Sequence, residues 1–110
     1  MDNNSVVVLV TAPSRETARQ IARHVVENRL AACANILGPV ESIYTWQGEV
    51  QQEEEVLLVI KTRQALVEQS LIPAIKSIHP YDVPEIIALP VVSGLKDYLS
   101  WIDEVTQQEK

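Results

Sequence analysis

Hydrophobic residues recur along this chain with two periods, which predict strands and helices in alternation. Val6–Val10 is apolar throughout, as in a central strand that is covered on both faces. Ser14 is predicted to be the N-cap of a helix that begins at Arg15, because a serine hydroxyl can accept a hydrogen bond from the first turn. Apolar residues then follow the 3.6-residue period, and the helix is expected to end between Asn28 and Leu30.

The middle of the chain has the composition of a long β-hairpin. The segment from Ala31 to Trp46 is predicted as one strand with a kink or bulge at Gly38–Pro39. Gly48 makes the turn, and residues 50–61 return as the partner strand. Because the tip is polar, the distal part of this hairpin has little core of its own. It either docks on a neighbouring subunit or is a solvated edge protected by its charges.

A second helix, a fourth strand and a final helix complete the pattern. Thr62 is predicted to cap a helix that runs to Ile78, and Pro73 is expected to kink it by removing a backbone hydrogen bond. Ile86–Val92 is predicted as a strand at a sheet edge, where Pro90 is tolerated. The order β-α-β-β-α-β indicates a ferredoxin-like α+β fold, an antiparallel sheet with two helices on one face, with an added C-terminal helix.

Composition and charge narrow the class of partner. With 110 residues, of which 46% are hydrophobic, the chain is predicted to be one globular domain, 1–110. A net charge of −6, no cluster of Lys and Arg and no Phe argue against a nucleic-acid partner. No apolar stretch is long enough to cross a bilayer, so we expect no membrane partner. The single cysteine cannot form an internal disulfide, which favours a reducing, cytoplasmic location.

Cys33 and His79 are the two side chains best suited to bind a soft metal ion. Cys33 lies among alanines, where a buried, unreactive thiol competes with metal binding or redox chemistry as the interpretation. His79 precedes Asp82 and Glu85, which would join it around a divalent ion if the loop folds back. A hydrogen-bonded loop histidine is the alternative. The chain has no HExxH, CxxC or paired-histidine spacing, so no metal motif is complete.

Other charged residues allow further hypotheses. Glu53 and Glu55 share one face of the returning strand, as part of a solvated hairpin or of a weak site for a hard cation. Arg15 at a helix N-terminus, with Asn35 on the next strand, is similar to the pair that acylphosphatases use on this fold, without their glycine-rich phosphate cradle. Lys61 is either a surface lysine or a charge inside a cleft.

Six segments taken together resemble the CutA family of divalent-cation tolerance proteins. They follow the family's order and span nearly the whole chain: Val7–Pro13, Leu30–Ile36, Ser42–Gly48, Lys61–Thr62, His79–Ile86 and Tyr98–Trp101. The resemblance implies a cytosolic homotrimer that is similar in architecture to PII signalling proteins. Its long hairpin would reach a neighbouring subunit, and clefts would form between the subunits.

The same resemblance implies a non-enzymatic function connected with tolerance to divalent metal ions, notably copper. Cys33 and His79 match family positions that can be ligands, but some metal-binding relatives add a cysteine and a histidine where this chain has Val10 and Ile78. A ligand is expected in the intersubunit cleft, lined by Thr11, Asn35, Trp46, Lys61, Tyr81, Glu85 and Trp101. The alternative is a PII-like sensor of an anionic small molecule, with only an indirect link to metals.

Overall fold

A computed structural model describes residues 4–108 of the protein, and its elements follow the predicted order. They are β1 (Ser5–Ala12), α1 (Arg15–Glu27), β2 (Cys33–Trp46), β3 (Glu49–Arg63), α2 (Gln64–Leu66), a π-helical turn (Val67–Leu71), α3 (Ile72–Ile78), β4 (Ile86–Pro90) and α4 (Lys96–Val105). Within these residues the strands form one antiparallel sheet in the order β2-β3-β1-β4. This arrangement confirms the ferredoxin-like α+β fold with an added C-terminal helix.

The core lies between one face of the sheet and the helices that follow β1 and β3. Val6, Val8 and Val10 of β1 are buried on this side, whereas Val7 and Leu9 are only half-buried on the other. The sequence predicts that β1 is covered on both faces. The core face is fully covered, whereas the other face is only partly covered. We name the second side the open face; strand alternation places on it Val7, Leu9, Leu57, Val59, Ile87 and Leu89.

The two predicted helix caps had different outcomes. Ser14 caps α1 as expected, since its Oγ accepts a hydrogen bond from the Thr17 N–H at 3.2 Å. The prediction for Thr62 is wrong: it is a fully buried residue of β3, and its Oγ1 donates to the carbonyl oxygen of Leu30 at 2.7 Å. Pairing with β1 extends the strand past this residue, so the helix begins only at Gln64.

Pro73 changes the geometry of the second helical segment, as the sequence predicted. The π-helical turn precedes it, and Pro73 then lies near the N-terminus of α3. The backbone stays helical through this junction, since Leu71 and Ile72 both have right-handed helical φ and ψ angles. The wider π-helical turn accommodates the hydrogen bond that Pro73 cannot donate. The interruption leaves the apolar stripe directed at the core, with buried residues Leu66, Val67, Leu71 and Ile75.

The hairpin of β2 and β3 is 14 and 15 residues long. Its register shifts between Leu37 and Val40, which confirms the irregularity predicted at Gly38–Pro39. Gln47 and Gly48 form the turn with φ angles of 53° and 83°. Two positive φ angles in a two-residue loop match the right-handed twist of the strands. Beyond the irregularity most side chains are exposed, so this arm is held by its own strand pairing.

β4 completes the sheet, and α4 covers one end of the open face. β4 is an edge strand, as predicted, and ends at Pro90 rather than at Val92. Arg63 anchors α4 to β3, because its guanidinium donates to Thr106 Oγ1 at 2.8 Å and lies 3.7 Å from the Asp103 carboxylate. The rest of the open face keeps large apolar side chains about half exposed, among them Leu37, Ile87 and Leu89.

Candidate functional site

The predicted site residues separate into two groups at opposite ends of the open face. The first borders a cavity of about 820 Å³ between the hairpin and loop 79–85, which we name the acidic cavity; its lining includes Thr11, Trp46, Tyr81 and Glu85. The second, which we name the lysine cluster, consists of Cys33, Asn35, Lys61, Tyr98 and Trp101. Glu55 of the cavity and Lys61 of the cluster are six residues apart on β3, or about 20 Å along a strand.

Two hydrogen bonds between tyrosine and glutamate join the walls of the acidic cavity. Tyr81 Oη donates to Glu55 Oε2 at 2.9 Å, and Tyr44 Oη donates to Glu53 Oε1. Strand alternation places Glu53 and Glu55 on one face of β3, as predicted. However, Glu55 is only 6% exposed. It is therefore a buried carboxylate that holds loop 79–85 against the hairpin, and not part of a solvated surface.

The electrostatics of the cavity keep both phenols protonated. The hydrogen bond to Glu53 raises the pKa of Tyr44 to about 12, with smaller contributions from desolvation and from nearby negative charge. Burial raises the pKa of Tyr81 well above its ordinary value of 10.0, and the hydrogen bond to Glu55 adds to this effect. At neutral pH both tyrosines therefore act as hydrogen-bond donors and not as bases or nucleophiles.

His79 supports loop 79–85 through both of its ring nitrogens. Its Nδ1 accepts a hydrogen bond from the Tyr81 backbone N–H at 3.1 Å, so the proton of the neutral ring is on Nε2. Nε2 donates to the carbonyl oxygen of Thr11 at 2.8 Å, and the side chain is only 7% exposed. This geometry matches the hydrogen-bonded loop histidine, the second of the two sequence interpretations. A metal ion would have to break one of these bonds.

The structure does not bring Cys33 and His79 together within one subunit. In the strand register, Cys33 of β2 lies opposite Lys61 of β3, and Lys61 lies opposite Val7 of β1. His79, in contrast, forms its hydrogen bond with β1 at Thr11. Val7 and Thr11 are four residues apart, or about 13 Å along the strand. Within residues 4–108 no group of three His, Cys, Asp or Glu side chains is placed to hold a metal ion. The donor set of a single subunit therefore does not fit a resident metal.

In the lysine cluster, the Lys61 ammonium group has no carboxylate partner among the described residues. Lys61 Nζ donates to Asn35 Oδ1, and the Cys33 thiol lies 3.8 Å from the same oxygen. Burial raises the pKa of Tyr98, with further contributions from Cys33, and the Tyr98 ring lies 5.4 Å from that of Trp101. Among the ion pairs of the described residues, none involves Lys61. The cluster therefore connects a half-buried amine, through Asn35 and Cys33, to a pair of aromatic rings.

The acylphosphatase-like pair is not assembled. The Arg15 guanidinium donates to the carbonyl oxygen of Gly38 at 3.0 Å, whereas Asn35 binds Lys61. Asn35 lies on the open face, and α1, which carries Arg15, packs on the opposite face of the sheet. An anion held by Arg15 would therefore not meet Asn35, and the geometry gives this hydrolase hypothesis no support.

Sequence reasoning missed part of the cavity wall. The sequence indicates Tyr44 only as one of the large aromatic residues of a core edge, a subunit interface or a cleft, and not as a specific ligand-binding residue. It indicates Glu53 and Glu55 only as hairpin surface or as a weak cation site. Tyr44 and Trp46 alternate on β2, and the register of the hairpin places them on the same side as Glu53 and Glu55. This alternation along β2 is the sequence signal that could have identified the cavity wall. It can be used only when the register between β2 and β3 is known.

Comparison with known proteins decides the family. The model of the family described as CutA1 divalent ion tolerance protein matches residues 6–105. The chain belongs to the CutA1 family. The resemblance found in the six sequence segments is thereby confirmed over nearly the whole chain.

Curated CutA1 relatives share about half of their aligned residues with this chain. The divalent-cation tolerance protein CutA of Thermus thermophilus is 51% identical over 100 residues, which cover 91% of this chain and 96% of the relative. The chloroplastic protein CutA of Arabidopsis thaliana is 48% identical over 103 residues, which cover 94% of this chain and 56% of the relative. The chain thus spans about half the length of the Arabidopsis relative, and also of the mouse and human CutA proteins.

Solved CutA1 structures have the same fold. The divalent cation tolerance protein of Thermus thermophilus matches with a TM-score of 0.90 at 50% identity, covering 94% of this chain and 99% of the other. The periplasmic divalent cation tolerance protein CutA of Archaeoglobus fulgidus matches with a TM-score of 0.90 at 37% identity and the same coverage. These similarities confirm the α+β architecture.

Proposed function

We propose that this protein is a non-enzymatic homotrimer that supports tolerance to divalent metal ions and binds a metal ion, copper first among them, or a small ligand in clefts between its subunits. The observation that carries the proposal is the family match over residues 6–105. Relatives of the chain are named for divalent-cation tolerance.

The exposed apolar surface supports the oligomer. Ile87 and Leu89 on the open face are 51% and 47% exposed, and Val92 and Leu95 between β4 and α4 are 90% and 74% exposed. A soluble monomer rarely exposes contiguous apolar surface of this kind, whereas subunit interfaces are built from it. Association of several copies would cover these side chains.

Direct metal binding, in this proposal, takes place between subunits. Cys33 and His79 are too far apart in one copy to share an ion, so each would need ligands from a neighbouring copy. The His79 ring would also have to release Thr11 or Tyr81. A copper site of this kind would be weaker than one preformed in a single subunit, because binding includes the cost of breaking a buried hydrogen bond.

Light scattering and calorimetric titration test the proposal. Scattering from the reduced protein at micromolar concentration is expected to give the mass of a trimer, and a monomer mass contradicts the proposal. Titration with Cu(II), Zn(II) and Cu(I) is expected to show saturable binding that is lost in Cys33→Ala and His79→Ala. His24→Ala, in α1, is the matched control and should bind as the wild type does. Absence of saturable binding to the wild type contradicts direct metal contact.

The alternative function is a PII-like sensor of an anionic small molecule. It is supported by Lys61, which has no ion pair within the described residues and binds Asn35 in the lysine cluster. A thermal-shift screen of nucleotides and anionic metabolites should find a stabilising ligand, and Lys61→Met should abolish the shift. A screen without any shift contradicts this alternative.

We also propose that residues 1–110 form a single domain and that the protein is located in the cytoplasm. No helix within residues 4–108 is both long enough and apolar enough to span a membrane. The absence of any cysteine besides Cys33 supports a reducing compartment. Relatives named chloroplastic and periplasmic show that location differs within the family. Fractionation of the source cells, with a compartment marker for each fraction, tests this location.

A further inference from the structure

The outer side of α1 carries a row of three arginines. Arg15, Arg19 and Arg23 are spaced by four residues, so the period of the helix places them on one side. All three are exposed, whereas the side of the helix that contains Ile21 and Val25 is buried in the core. We name these three side chains the arginine row. It is about 12 Å long, because each residue of a helix adds about 1.5 Å.

The arginine row reverses the charge of the chain locally. Residues 15–29 contain four arginines and two glutamates, a net charge of +2, in a protein whose formal net charge is −6. At about 100° of rotation per residue, the three arginines span about 80° of the helix surface. Glu16 and Glu27 lie about 20–40° further round. Positive charge is therefore concentrated on one strip of the exposed side.

Contacts inside the subunit use only part of the hydrogen-bonding capacity of the row. Arg15 donates to the carbonyl oxygen of Gly38 at 3.0 Å, and Arg23 pairs with Glu27 at 3.1 Å. The Arg23 and Glu27 side chains are 80% and 62% exposed, so this ion pair is weak and can be exchanged for another. Among residues 4–108, Arg19 forms no ion pair. Since a guanidinium has five N–H donors, the row keeps most of its donors for a partner.

An exposed apolar side chain adjoins the row. Val26 is 39% exposed and lies one turn beyond Arg23. By rotation it falls between the directions of Arg15 and Arg19, at the end of the same strip. A partner that covers Val26 while its carboxylates contact the arginines would gain from apolar burial and from charge-assisted hydrogen bonds.

The spacing of the row favours one geometry of anionic partner. Arginines four residues apart are about 6 Å apart along the axis of α1, which equals the spacing of carboxylates four residues apart on another helix. A second helix with Asp or Glu at every fourth position can therefore contact all three arginines at once. A nucleic acid or an anionic membrane extends well beyond the row, and the acidic remainder of the protein repels the excess charge.

We propose that the arginine row is a docking surface for an acidic helix of a partner protein, with carboxylates at four-residue intervals on the row and an apolar side chain on Val26. α1 packs on the side of the sheet opposite the open face, so association of copies through the open face leaves the row accessible. The docking surface is therefore separate from the proposed clefts and does not depend on the homotrimer.

Fluorescence anisotropy with the full chain tests the docking surface. One labelled synthetic peptide is a helix with Glu at every fourth position, and the second has the same composition with its Glu residues consecutive. At about 0.15 M salt, which screens exposed charges beyond about 8 Å, the first peptide should bind at least about tenfold more tightly than the second. Arg19→Gln should weaken its binding by about tenfold or more, because charge-assisted hydrogen bonds are lost. Lys96→Gln, at an exposed position of α4, is the matched control and should bind as the wild type does.

Two further variants give readouts that misfolding would not produce together. Glu27→Gln frees Arg23 and removes a negative charge beside the row, so it should strengthen binding of the first peptide by about twofold. Val26→Thr, which keeps the shape of the side chain, should weaken it.

No saturable binding, equal binding of the two peptides, or equal losses in Arg19→Gln and Lys96→Gln would overturn the docking surface. Competition by a single-stranded oligonucleotide or by phosphatidylserine vesicles that is as strong as competition by the unlabelled first peptide would overturn the choice of an acidic helix as the partner.

Discussion

Removal of one hydroxyl group, by Tyr81→Phe, tests the central feature of the acidic cavity. The phenol donates to a carboxylate, Glu55, that is 94% buried, and hydrogen bonds to charged groups contribute about 1.5–3 kcal/mol to stability. The oxygen–oxygen distance of 2.9 Å is longer than in the strongest bonds of this type. Because the cavity is open to water, Glu55 can also be rehydrated. We therefore expect the free energy of unfolding to fall by about 1.5 kcal/mol at pH 7.

The same bond has a defined pH dependence. Folding raises the pKa of Tyr81 above its ordinary value of 10.0, so above that pH the folded state retains a proton that the unfolded chain has lost. Stability from this group is therefore complete below about pH 10 and decreases as the pH rises through 10 and beyond. In Tyr81→Phe this decrease should be smaller than in the wild type. Tyr44 and Tyr98, whose pKa values are also raised, account for the part that remains.

Chemical denaturation at fixed protein concentration, repeated from pH 7 to pH 11, measures both effects. Fixed concentration is required because dissociation of an oligomer would contribute to the apparent stability. Tyr44→Phe is the matched control, since it removes the same hydroxyl from an exposed pair and should change stability less. Equal losses in the two variants, or an unchanged alkaline decrease in Tyr81→Phe, would refute the argument that burial of Glu55 makes its hydrogen bond important.

Two further changes test the fold. Thr62→Val should lower the free energy of unfolding by about 1–3 kcal/mol, because it leaves the half-buried carbonyl of Leu30 without its donor. Thr62→Ser keeps a hydroxyl and should lose less. Thermal unfolding of both variants measures the losses, and equal losses would mean that packing and not the hydroxyl matters. Gly48→Ala should lower the free energy of unfolding by about 1 kcal/mol, because alanine at a φ of 83° has a strained backbone even though no atom obstructs its Cβ. Gly48→Asn should recover part of that loss in the same assay. No difference between alanine and asparagine would contradict the backbone explanation.

Local sequence information was sufficient for most of the elements. The period of apolar residues predicted α1 and β1, and Ser14 marked the first helical turn correctly because an N-cap depends on neighbours within the same turn. Pro73 predicted a disturbed helix for the same local reason. Thr62 shows the limit, since a threonine at that place suits a cap or a strand equally well. The pairing of β3 with β1 decided between them.

The sequence by itself determined the order of the elements, the ferredoxin-like α+β class and, through six ordered segments, the CutA1 family. Only the tertiary structure decided which candidate residues meet. It placed Tyr81 on Glu55 and Lys61 on Asn35, and it separated Cys33 from His79. The physical reason is that strand register and the path of a loop are properties of the packed sheet. Residues far apart in the chain share a site only when backbone pairing brings their side chains to the same face, and a periodic pattern does not specify that pairing.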